Sequence, residues 1–88
     1  MLSGMKALSR SSAFRLEKEQ AELAKAEQDI ADGQMRITEQ ELRIEELRAR
    51  GRDTALSERL LENLKGTLEE WRKHRHEILN TIYLLQAS

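Results

Sequence analysis

Leu16, Leu23, Ile30, Ile37 and Ile44 follow one another at steps of seven. This is the first-position series of a heptad repeat, and so sustained a period predicts a long amphipathic helix. Three residues after each come Glu19, Ala26, Gly33, Gln40 and Leu47, a second series that is weak and partly polar. The seam of this helix is therefore strong but narrow. Met35 and Leu42, five places beyond a seam residue, lie away from it and form a small second apolar patch.

The second half of the chain repeats the pattern more richly. Leu64, Trp71, Ile78 and Leu85 recur at seven, with Ser57 beginning the series. Leu60 and Thr67 flank it on one side, and Leu61, Leu68 and Ile82 on the other. Such a broad stripe is expected of a helix covered on more than a two-stranded seam. Leu79, Tyr83 and Leu84 add apolar surface outside the stripe near its end.

Between the two patterns runs Ala49-Arg50-Gly51-Arg52-Asp53-Thr54-Ala55. Gly51 can adopt the left-handed conformation that stops a helix, with Arg48 and Arg50 facing the negative end of its dipole. Asp53 or Thr54 then offers a side-chain oxygen to the free N–H groups that start a new helix. So short a connection makes antiparallel neighbours of the two helices.

The predicted fold is all-α: a coiled-coil-like hairpin with one helix over about 14–50, a turn at 51–53 and a second helix over about 54–86. Residues 1–13 read as a flexible basic leader, with Ser11 or Ser12 capping the first helix. Folding about Arg52 sets Leu47 against Ser57, Ile44 against Leu60 and Leu61, and Ile37 against Thr67 and Leu68. It also sets Gly33 against Trp71. A glycine inside a helix costs about 1 kcal/mol relative to alanine, so Gly33 is expected to open the groove that receives the indole. Gly66 has no comparable partner. The expected packing seam is Ile30, Gly33, Ile37, Ile44 and Leu47 on one arm, with Leu60, Leu64, Leu68, Trp71 and Ile78 on the other.

Composition agrees with this architecture. Among 88 residues there is no proline, 3% are aromatic and 35% are charged, with a net charge of −1. That is the composition of long helices and coiled coils. The absence of cysteine removes disulfides, thiolate metal sites and cysteine nucleophiles. No run approaches the roughly 18 apolar residues of a membrane span, and no signal-peptide core is present at the start; a cytoplasmic location is expected. Residues 1–15 carry Lys6, Arg10 and Arg15 with no acid, whereas residues 16–50 hold ten acids against six bases.

Candidate chemistry concentrates in Trp71-Arg72-Lys73-His74-Arg75-His76-Glu77. Glu70 and His74 share a helical face, and Glu27 stands at about the same level of the other arm. Carboxylate-bridged metal sites in bundles need Glu-x-x-His in that order with inward glutamates on other helices. Here the order is reversed, and ordinary surface histidines are the better reading, with no cofactor expected. The same stretch supplies Arg72, Lys73 and Arg75 for a polyanion, but Glu69, Glu70 and Glu77 lie among them and no aromatic platform accompanies them apart from a core Trp71. Nucleic acid is not the expected partner. Capping accounts for Asp53 and Thr54, a two-helix hairpin offers no water-excluding cleft, and an enzyme is not expected.

The string Gly51-Arg52-Asp53-Thr54-Ala55, followed by Leu60-Leu61, Leu64, Thr67-Leu68, Trp71, His74-Arg75 and Ile78-Leu79, with Ile30, Arg36-Ile37 and Leu47 upstream, resembles a group of small uncharacterised bacterial proteins of helical-hairpin type. The resemblance spans about residues 28–79 and implies a bacterial cytoplasm, but carries no activity and no functional residue.

Two helices burying one face each build only a small core. Met35, Leu42, Leu79, Tyr83 and Leu84 are the surface expected to close it, by dimerisation into a four-helix bundle or by a helix from another protein. The expected function is a non-enzymatic helical interaction module. The alternative is a small polyanion-binding accessory protein working through the basic leader and the Arg72–His76 patch.

Overall fold

In a computed structural model, residues 10–87 are described and form two helices, α1 (Arg10–Ala49) and α2 (Ala55–Ala87), folded into an antiparallel hairpin. At 1.5 Å per residue the 40 residues of α1 reach about 60 Å. Both arms are rich in Ala, Leu, Glu, Gln, Lys and Arg, the residues that lose least on entering a helix. None of the described residues is in a strand, and no helix is long and apolar enough to cross a membrane.

The described part of α1 begins at Arg10, earlier than expected, so Ser11 and Ser12 lie inside the helix and do not mark its boundary at 14. Residues 1–9, which include most of the basic leader with Lys6, lie outside the described residues.

The turn is built as the residue types demand. Gly51 has φ +67° and is the one described residue with a left-handed backbone. Its N–H donates to the Arg48 carbonyl at 3.0 Å, and that of Arg52 donates to the Leu47 carbonyl at 2.8 Å. This pair of bonds is the Schellman closure, which satisfies carbonyls that a helix end leaves free. Asp53 Oδ1 then accepts from the Ala55 N–H at 3.0 Å, and the Thr54 carbonyl accepts the first α2 bond, from Glu58, at 2.8 Å. Thr54 is thus the half-in residue of the cap and Asp53 the side chain that serves it. The irregular stretch covers residues 50–54, slightly more than the expected 51–53.

Burial follows the heptad along α1. Ala26, Gln40 and Ile44 are buried, and Leu16, Glu19, Leu23, Ile30, Gly33, Ile37 and Leu47 are half-buried. The weak second series does face inward, polar members included. On α2 the inward row runs Ser57, Leu61, Leu64, Leu68, Trp71, Arg75, Ile78, Ile82 and Leu85, alternating steps of four and three. Leu60, expected in the seam, is 48% exposed, and Leu61 takes the place beside Ile44. The best-packed region lies toward the open end, where Ala26, Ile78 and Ile82 form a cluster joined by Leu16 and Leu23.

The expected pairing of Gly33 with Trp71 is corrected. A Cβ at Gly33 would stand 3.4 Å from Leu68 Cδ1, so Leu68 lies over the glycine. Trp71 is half-buried and borders the same groove, along with Leu64 and Thr67. Gly66 points to open space, with nothing within 4 Å of a Cβ there.

Candidate interaction surface

Polar contacts between the arms help to hold them in register. Gln40, 8% exposed, donates from Nε2 to the Ser57 carbonyl at 2.8 Å and so ties the last third of α1 to the first turn of α2. That carbonyl has a second lone pair left for its own helix bond. Arg48 meets Glu58 at 3.0 Å across the turn, and Arg75 meets Glu27 at 3.3 Å nearer the open end. The two ion pairs are exposed and contribute about 0.2–1 kcal/mol each. The buried amide is the contact that selects one register, because an inward glutamine slipped by a residue would lose its partner inside an apolar seam.

Trp71 is the largest side chain on the seam and is only half covered. The Lys25 ammonium lies 5.8 Å from the centre of its ring, and the His74 ring meets it edge-on at 5.9 Å and 65°. His74 therefore packs against an aromatic surface. Glu27, at its level on the other arm, is engaged by Arg75. Among the described residues no three His, Asp or Glu side chains converge as a ligand set for a metal.

The basic stretch is neutralised locally. Arg72 pairs with Glu69 at 2.9 Å, Lys73 with Glu70 at 3.6 Å, and Arg75 with Glu27. A phosphate binding there would compete with a carboxylate at each of these three cations.

The apolar surface is distributed in a different way. Six hydrophobic residues are buried among the described residues, Ala26 the smallest, and no large side chain is fully enclosed. Eight large hydrophobic residues are exposed among the described residues. The five expected on an association surface are all among them: Met35, Leu42, Leu79, Tyr83 and Leu84. Phe14 is 64% exposed, and Leu56 is the most exposed of all at 75%. Sequence reasoning missed Leu56, which precedes Ser57 and sits outside the heptad row. It stands one turn before Leu60 on the same helical flank, beside the half-buried Leu64.

These side chains fall into three zones. Met35 and Leu42 lie on the outside of α1. Leu56 and Leu60 lead along one edge of the hairpin toward Trp71. Phe14, Leu79, Tyr83 and Leu84 lie toward the open end. The grooves between the arms are shallow and open, lined by mixed charged and apolar side chains.

Comparison of the chain with protein-family models, curated proteins and solved structures finds no match.

Proposed function

We propose that this chain is a non-enzymatic helical interaction module that self-associates, or docks a partner helix, through apolar surface the hairpin leaves uncovered. The observation that carries the reading is the imbalance of burial: eight large hydrophobic residues exposed against six hydrophobic residues buried, among the described residues. Scattered apolar residues are normal on a protein surface, but an excess over the buried core concentrates on binding faces. Two hairpins associating would bring four helices together and give at least one helix of each hairpin a second packing neighbour.

The second reading, polyanion binding, draws on Arg72, Lys73 and Arg75, and the acid partner at each of these weakens it. Salt separates the two readings. Phosphate binding falls steeply as salt rises, whereas an apolar interface persists. The resemblance noted above supports placing the module in a bacterial cytoplasm. The direct test is molecular mass in solution as a function of concentration and salt. A mass above that of one chain, retained at high salt, is the expected result.

A further inference from the structure

We infer that the outer face of α1 is a self-complementary seam that takes a second copy of this chain in antiparallel orientation. The inference rests on the self-association reading and assigns it a face and a direction.

At 100° per residue, Ala21, Ala24, Gln28, Ala31, Met35 and Leu42 line one stripe on the outer part of α1, with Thr38 between the last two; Ala31 and Leu42 also border the open grooves shared with α2. Every one of these residues is exposed. No charged residue interrupts the stripe from Ala21 to Leu42, although α1 is otherwise densely charged. Its steps of three and four are those of a coiled-coil seam, so α1 carries two seams, of which α2 covers only one. The stripe is also graded: alanines fill its N-terminal half, and the two large side chains stand in its C-terminal half. An antiparallel copy lays the large half of each helix on the small half of the other. In the register that covers both large residues, Leu42 faces Ala24 of the second copy and Met35 faces Ala31, with Gln28 opposite Thr38.

Charge gives independent evidence for the occupant and its direction. The row flanking the stripe reads Lys18, Lys25, Asp32, Glu39 and Glu46, basic at one end and acidic at the other, all exposed. In an antiparallel pair, flanking residues of the same row meet across the interface. Lys25 then meets Glu39 of the second copy and Lys18 meets Glu46, each pair made twice by the two-fold axis, while Asp32 meets its own copy at the axis and, on the opposite flank, Glu27 meets Glu41. A parallel copy would instead bring the two opposite flanks together, setting Glu27 against Asp32 and Glu41 against Glu46 with no attractive pair. Lys25 already lies 3.1 Å from Asp29 and over Trp71, but its side chain is 75% exposed and its ammonium can reach outward. The assembly has α1 of each copy at its centre and α2 on either side. It leaves Leu56, Leu60 and Trp71 uncovered.

The test uses the full chain and measures mass by sedimentation or light scattering from about 1 to about 300 µM, with helicity followed by circular dichroism. Met35→Glu is expected to abolish the dimer. Lys25→Glu and Glu39→Lys are each expected to raise its Kd about tenfold, because the reversed pair occurs twice, and the double swap to restore it. All these positions are exposed, so helicity should be unchanged. Singles that weaken the dimer without rescue by the double swap would overturn the antiparallel pairing. A dimer indifferent to every α1 variant but broken by Leu60→Glu would overturn the assigned face and leave self-association standing. A wild-type chain that is monomeric throughout would overturn this inference together with self-association itself.

Discussion

One substitution, glycine to alanine, should give different results at three places in this hairpin, and the structure sets the sign of each. At Gly66 the new methyl meets nothing within 4 Å, and the residue lies in the interior of α2 without a left-handed backbone. The whole helix-propensity difference is then gained, about 1 kcal/mol. At Gly51 the same change forces an L side chain into φ +67°, which costs about 1–2 kcal/mol. At Gly33 the methyl sits 3.4 Å from Leu68 Cδ1, the edge of ordinary contact. Part of the propensity gain there is offset by a small displacement of the leucine, so the net change falls between the other two. For a domain of this size 1 kcal/mol moves the melting temperature by about 4–8 °C. Gly66→Ala should therefore melt several degrees above the wild type and Gly51→Ala several degrees below it. The assay is helical circular dichroism on heating, at one fixed protein concentration so that association contributes equally to every sample. Gly66→Ala melting at or below the wild type would refute the placement of residue 66 on an open helix surface. Gly51→Ala as stable as the wild type would refute the left-handed turn.

Other expectations follow from burial and hydrogen bonding. Gln40→Ala removes the bridge to Ser57 and opens a gap in the seam, and should cost about 1–3 kcal/mol in urea unfolding. Arg48→Ala deletes an exposed pair and should cost no more than about 1 kcal/mol. Ile78→Ala, at 3% exposure in the best-packed cluster, should cost about 2–4 kcal/mol, enough to lower the melting temperature markedly in so small a fold. Leu60→Ser should leave stability within about 1 kcal/mol while Leu61→Ser costs more, a contrast that reads directly which flank of α2 faces α1.

The elements that could be read from the sequence are those whose signals are local. Gly51, Asp53 and Thr54 announce the turn because each residue type meets a specific backbone need there, and all three take the places that need dictates. The five-repeat heptad of α1 announces its inward face in the same way. The flank of α2 could not be read so easily, because leucines occupy both 60 and 61 and period alone does not choose between them. The choice is made further along, where the row through Arg75, Ile78 and Ile82 turns inward. The partner of Gly33 was three residues out, less than one turn, because the axial offset of the arms depends on the Schellman geometry and on the Gln40–Ser57 bond. A glutamine in a weak polar series gives no sign that it will be buried. Of the candidate surface, Met35, Leu42, Leu79, Tyr83 and Leu84 were legible as apolar residues off the stripe. Leu56 was not, since a single leucine in the first turn of a helix belongs to no repeat.

The central claim is that the hairpin leaves apolar surface meant for another helix. Sedimentation equilibrium of the full chain in low and high salt tests it most directly. The predicted result is a reversible dimer whose Kd changes little, or tightens, as salt rises, because apolar burial outweighs the screened flanking charges. A chain that stays at its 10.2 kDa monomer mass at every concentration and salt would contradict self-association. One whose assembly disappears as salt rises would contradict the apolar interface.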